Sequence, residues 1–162
     1  MKASFRAATA KDAPRIGDLL ISTRAVFMPY APSPHSEAEV RAWVASVLVP
    51  QGGVTVAEVG GRILGTLVTT REAEASWISQ MAVDPAVVGR GLGSALLAFA
   101  LHTLPRPVRL HAFQANNGAR RFYERHGFVA LCLTDGRDNE EHCPDVLYEL
   151  ARAPNEALNV KR

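Results

Sequence analysis

Val83-Asp84-Pro85-Ala86-Val87-Val88-Gly89-Arg90-Gly91-Leu92-Gly93-Ser94 decides how the rest of the chain is read. A strand pattern, Trp77 to Val83, stops at Asp84-Pro85. Three alternating glycines follow, and an apolar helical pattern then runs from about Leu92 to Leu104. Glycine at positions 89, 91 and 93 lets the backbone approach a ligand closely and turn several N–H groups toward one point. At a helix N-terminus such donors, with the helix dipole, favour a phosphate. Arg90 can add a full positive charge to the same anion. Two other phosphate motifs fail on the letters. The dinucleotide fingerprint G-x-G-x-x-G ends on Ser94 when started at Gly89, and no lysine is present for a Walker loop. A glycine-rich loop that only turns the chain is the plain alternative.

Outward from this segment the pattern alternates strands and helices. Upstream, Ser4 to Ala8 reads as a strand. Thr9, with Asp12 in the first turn, reads as the N-cap of a helix striped by Ile16, Leu19, Leu20 and Thr23. Three prolines make Met28 to Pro34 an irregular loop. Ser36 and Glu39 form a capping box. Behind it Val40, Trp43, Val44, Val47 and Leu48 have the spacing of a helix buried on one side, stopped at Pro50-Gln51-Gly52-Gly53. Val54 to Val59 and Ile63 to Thr70 flank Gly60-Gly61-Arg62 as a β-hairpin. Downstream come a strand from Val108 to Phe113 and a short helix from about Gly118 to Arg125, with Gly127 as its stop. Strands Phe128 to Thr134 and Asp145 to Leu150 close the pattern, separated by a polar loop.

The chain has 162 residues, 48% hydrophobic and 21% charged, with a formal net charge of +2. These values fit one soluble domain, residues 1–152, with a frayed tail, 153–162, and exclude disorder and disulfide-dense scaffolds. The charge is too small to advertise a nucleic-acid partner. The longest apolar run, Ala95 to Leu101, is far too short for a membrane span, and Met1 to Ala10 lacks the apolar core of a signal peptide. Cys132 and Cys143 read as two reduced thiols, so a cytoplasmic location is expected. No recognised zinc spacing occurs, and no metal is expected.

The glycine turn, followed by Asn116-x-x-Ala119-x-x-Phe122-Tyr123-Glu124-x-x-Gly127-Phe128, resembles the GNAT superfamily of acetyl-CoA-dependent N-acyltransferases. Phe5-Arg6-x-Ala8-Thr9-x-x-Asp12-Ala13 is similar to the family's opening strand and helix, and Gly60-Gly61-Arg62-Ile63-Leu64-Gly65 to its central hairpin. The resemblance implies an α/β fold: a mixed, mostly antiparallel sheet flanked by helices, its central strands splayed at the cofactor site. One position departs from the pattern. The family's turn usually opens with Gln or Arg, and Val88 stands there, so one polar contact near the pyrophosphate is expected to be missing.

The resemblance also implies roles. Backbone groups of Met81, Ala82 and Val83 would hold the pantetheine arm of acetyl-CoA, and Val88, Gly89, Arg90, Gly91, Leu92, Gly93 and Ser94 the pyrophosphate. Asn116, Ala119, Phe122 and Tyr123 complete the cofactor-binding set. Asn116 is equally a favoured helix cap. Tyr123 is the candidate general acid, a phenol protonated at neutral pH that could protonate the departing thiolate, although most tyrosines simply pack. For a general base, Glu72, Glu74, His111 and His126 come into question, with His111 preferred because its strand borders the cofactor in the family. Neither cysteine lies in the strand-loop-helix core, so direct transfer in a ternary complex is expected. The acceptor would be a small-molecule or peptide amine, bordered by Met28 to His35 and the acidic loop Asp135 to His142. A homodimer is among the states the resemblance allows. The alternative function is a non-catalytic acyl-CoA-binding sensor.

Overall fold

The structure is a computed structural model that describes residues 2–153. Apart from Ala153, the expected tail lies outside the described residues. The strands are β1 (Ser4–Ala7), β2 (Val54–Val59), β3 (Arg62–Arg71), β4 (Ser76–Val83), β5 (Val108–Phe113), β6 (Val129–Leu133) and β7 (Asp145–Leu150). The helices are α1 (Ala13–Phe27), α2 (Glu37–Trp43), α3 (Val49–Gln51), α4 (Leu92–Thr103) and α5 (Asn117–Arg125). Hydrogen bonding orders the strands β1-β2-β3-β4-β5-β7-β6 in a mostly antiparallel sheet with one parallel pair, the α/β class expected. That parallel ladder is short, Ser76↔Val108 and Trp77↔Arg109, and stops at Trp77.

The chain divides into two compact units, Met1–Thr70 with Ile78–Thr103, and Arg71–Trp77 with Leu104–Arg162. In the first, Ala13 and Ile16 of α1 and Val44 and Leu48 pack with Val54, Val56 and Val68 of the hairpin strands. All of Leu64 to Val68 in β3 is buried, so both of its faces are covered. At Gly65 the missing side chain admits α4, because a Cβ there would sit 3.4 Å from Leu96. The hairpin turns at Gly60 and Gly61, with φ of 57° and 75°, a left-handed pair that glycine adopts without steric cost.

Thr9 is the N-cap, as expected, and forms a capping box with Asp12, whose carboxylate accepts from the Thr9 N–H at 2.7 Å; the cap opens a short 3₁₀ turn, Ala10–Asp12, that precedes α1. One expectation about helices is corrected. The stripe from Val40 to Leu48 is not buried throughout. Val44 and Leu48 are buried, whereas Trp43 and Val47 are exposed. The reason lies in the backbone, which follows a π-helical turn from Val44 to Leu48 between α2 and α3. The wider turn just precedes Pro50, which has no N–H to offer a regular helix and whose ring crowds the preceding turn. The Ser36–Glu39 capping box forms as expected.

In the second unit, alternation along β5 and β7 separates two faces. Val108, Leu110, Ala112, Val146, Tyr148 and Leu150 are buried, with Tyr123 and Phe128 also among the buried residues of this unit. On the other face Arg109 pairs with Glu149 at 2.8 Å.

Candidate active site

The first unit carries the glycine turn. Asp84 closes β4: its N–H donates to Leu64 O at 2.8 Å and its carboxylate accepts from the Ala86 N–H at 3.0 Å. Arg15 of α1 donates to the same carboxylate at 2.6 Å and to Ile63 O at 2.9 Å, which ties the foot of the turn to a helix and a neighbouring strand. The Ala86 N–H and Arg15 together hold the Asp84 carboxyl below its ordinary range. Beyond a single 3₁₀ turn, Pro85–Val87, come Gly89 and Gly91 with φ of 83° and 87°. An added Cβ at either would meet no atom within 4 Å, so these glycines answer to backbone conformation and leave open space beside it. The first bond of α4 runs from Ala95 N–H to Gly91 O at 3.1 Å, so the amides ahead of it point out of the helix end. Val88 and Arg90 are exposed. Among the described residues Arg90 has no ion-pair partner. On β4, Ala82 is buried, Met81 and Val83 are half-buried, and the Thr23 hydroxyl approaches Val83 O at 3.5 Å.

The second unit carries the other candidates. Asn116 caps α5, its Oδ1 accepting from the Ala119 N–H at 3.1 Å. Tyr123 is buried with its ring edge-on to Phe122 at 5.1 Å and to Phe128 at 5.6 Å. Burial pushes its phenol above the usual value of 10.0. Tyr148, fully buried, lies beside it at 6.5 Å between ring centroids. The Tyr148 hydroxyl donates to Glu124 at 2.7 Å and accepts from Arg120 at 3.1 Å, and Arg120 also donates to Gln114 O at 3.3 Å. This chain of bonds pins α5 to β7 on both sides of Tyr123.

His111 is half-exposed, with Nδ1 3.6 Å from Asp145 Oδ2 and its ring stacked on Trp77 at 5.5 Å between centroids and 15° between planes. Asp145 is itself buried, accepting from the Thr134 hydroxyl and from Asn139 at 3.2 Å. Both of these neighbours of His111 escaped the sequence reading. Their signal was register: in the ladders Trp77↔Arg109 and His111↔Leu147, each lies diagonally across from His111. Among the other basic candidates, His126 engages Phe122 O through Nδ1 at 2.7 Å at the end of α5, and Glu72 and Glu74 are exposed in the turn before β4. The loop between β6 and β7 is closed on itself. Asn139 donates to Cys143 O at 2.7 Å and accepts from the Cys143 N–H at 3.1 Å, while Gly136, at φ 80°, has the Cys143 backbone where a Cβ would go. Among the described residues no group of three or more His, Cys, Asp or Glu could hold a metal ion, and no helix is long and apolar enough to cross a membrane.

Residues 20–128 match the family described as Acetyltransferase (GNAT), and the chain belongs to that family. Among solved structures it is similar to YjaB from Escherichia coli, at 19% identity and a TM-score of 0.74, covering 94% of this chain and 100% of that one. It is also similar to a PaiA N-acetyltransferase from Thermoplasma acidophilum in complex with coenzyme A, at 15% identity and a TM-score of 0.72, covering 94% and 100%. A third likeness is to the ribosomal-protein-S18-alanine N-acetyltransferase from Escherichia coli, at 19% identity and a TM-score of 0.70, covering 95% and 98%. A comparison with curated proteins gives no match.

Proposed function

We propose that the protein transfers an acetyl group from acetyl-CoA to an amine by direct attack in a ternary complex. The observation that carries this reading is the pair of left-handed glycines, Gly89 and Gly91, with open space beside them at the head of a twelve-residue helix. Main-chain donors of Gly89 to Ser94 and the Arg90 guanidinium bind the pyrophosphate, and the exposed Val88 adds no polar contact. Backbone groups of Met81, Ala82 and Val83 hold the pantetheine arm. Asn116, Ala119 and Phe122 contribute to the same co-substrate. In the reaction the amine nitrogen attacks the thioester carbonyl carbon, the C–S bond breaks, and the sulfur takes a proton from the Tyr123 hydroxyl, which regains one from solvent. Burial suits that role in one respect: a phenol held above its usual range stays protonated at every working pH. His111 removes the proton lost by the amine.

The similar S18-alanine N-acetyltransferase is named for a protein amine, and on that likeness we propose that a peptide or protein amine is the acceptor. The test is release of free CoA thiol from acetyl-CoA with a panel of alanine-ended peptides, lysine-containing peptides and polyamines. Release that depends on one class of amine, with one acetylated product per thiol, is the expected result. Calorimetric binding of CoA without thiol release from any amine would overturn the transfer and leave an acyl-CoA sensor.

A further inference from the structure

Resting on the reading of His111 as the base, we propose that Asp145 is its positioning residue. The buried carboxylate keeps the imidazole proton on Nδ1, so that Nε2 is free to accept from the amine, and it balances the charge that the ring then carries. Nδ1 lies 3.6 Å from Asp145 Oδ2. That is ion-pair distance, just beyond a hydrogen bond, and catalytic bonds of this kind commonly tighten when substrate binds. Trp77 fixes the plane of the same ring, stacked at 5.5 Å between centroids and 15° between planes. Three strands therefore meet at one imidazole: β4 through Trp77, β5 through His111 itself and β7 through Asp145.

The carboxylate is held from the side away from the ring. Asp145 keeps only 8% of its surface in solvent. Its Oδ1 accepts from the Thr134 hydroxyl, and its Oδ2 from Asn139 at 3.2 Å. Gln114, three residues beyond His111, donates to the main-chain oxygens of Thr134 and Asp145 at 2.8 and 3.1 Å. The end of β5 is thus tied to the loop that grips the carboxylate.

All of these donors are neutral. Among the described residues no arginine or lysine pairs with Asp145, and His111 does. A carboxylate taken out of water beside a half-exposed histidine is costly as mere framework, and it is the arrangement in which an acid fixes a tautomer. Arg109 and Glu149, the other charged groups on this face of β5 and β7, are paired with each other at 2.8 Å, which leaves Asp145 as the counter-charge for the ring. In the transfer, Nε2 takes the proton that the amine nitrogen loses as its bond to the carbonyl carbon forms. Nδ1 keeps its own proton, the ring returns the extra one to solvent, and Asp145 takes none.

Nitrogen-15 NMR of the full chain, at a pH where the imidazole is neutral, tests the tautomer without any acetyl transfer. The His111 signals are assigned by their loss in His111→Gln. The proton is expected on Nδ1, although histidine free in water favours Nε2; a main tautomer with the proton on Nε2 overturns the proposal, whatever the amine acceptor. Asp145→Asn tests the charge, because it keeps an acceptor for Asn139 and the shape of the loop. With an active amine its kcat should fall about 10–100-fold, while KM for the amine and CoA affinity stay within about twofold. The same substitution made in His111→Gln should cost less than about twofold. Thr134→Val, which releases the other carboxylate oxygen, repeats both kinetic measurements should Asp145→Asn prove misfolded by circular dichroism. Equal losses in the two backgrounds, or full turnover in folded Asp145→Asn, would reduce Asp145 to a part of the loop.

Discussion

The glycine turn and the surroundings of Tyr123 are built on opposite principles. At Gly89 and Gly91 the chain presents left-handed backbone with open space beside it. Around Tyr123 the ring neighbours are side chains already engaged: Phe122 and Phe128 by packing, Tyr148 by hydrogen bonds to Glu124 and Arg120. Recognition by backbone demands a few glycines and leaves a clear mark in sequence. A general acid drawn from a packed cluster shares its duty with the core, and its mark is the ordinary one of a buried aromatic.

The sharpest way to break this contrast is Gly91→Asp. At φ 87° a side chain costs about 1–2 kcal/mol of backbone strain, and the carboxylate faces the proposed pyrophosphate. CoA affinity measured by calorimetry should fall about 100-fold or more. Undiminished affinity in a folded variant would show that the turn only turns the chain. Next comes Tyr123→Phe, which keeps the ring. Turnover should drop about 100-fold if sulfur departure limits the rate, with CoA affinity nearly constant. Because burial raises the phenol, the basic limb of the wild-type pH–rate profile should lie above pH 10.0 and vanish in the variant. Full turnover with an unaltered profile would return Tyr123 to a packing role.

Tyr148→Phe is a smaller, structural counterpart. It deletes the hydrogen bonds to Arg120 and Glu124 and should lower stability by about 1–2 kcal/mol in urea unfolding, without changing CoA affinity. A loss of affinity as large as that of Gly91→Asp would contradict the division drawn above. An effect of the same size, confined to neutral and mildly acid pH, belongs to Asp12→Asn. Hydrogen bonds from Arg6 hold this carboxyl at about 2, below its ordinary 3.8, so its stabilisation is complete above that ordinary value and is lost as pH falls toward 2. The variant should be less stable by about 1–2 kcal/mol at neutral pH, and the gap should close on acidification. A gap of constant size from pH 7 to pH 2 would exclude the ionised pair as its source.

The sequence made legible whatever is dictated locally. Gly89, Gly91, the Gly60-Gly61 hairpin and the Ser36–Glu39 box each announce a backbone requirement within a few residues. The π turn was hidden because Val44 to Leu48 carries an ordinary helical pattern, and only Pro50, beyond it, disturbs the ladder. Trp77 and Asp145 were hidden as neighbours of His111 because strand register, not proximity along the chain, brings them together. Tyr148 offered no hint that Glu124 and Arg120 would satisfy its hydroxyl, since those partners arrive with a helix more than twenty residues away. The candidate positions on the turn were thus readable as residues, while the neighbours of His111 and Tyr123 were not.

The closed loop between β6 and β7 bears on how such a protein could be re-engineered. Gly136 lies against the Cys143 backbone and Asn139 clasps Cys143 from both sides, so these positions act as a frame. A combinatorial library that tests whether this loop sets amine preference should hold Gly136 and Asn139 fixed and diversify Arg137, Asp138, Glu140 and Glu141. The frame would then carry many different tips, much as a signet ring takes different seals.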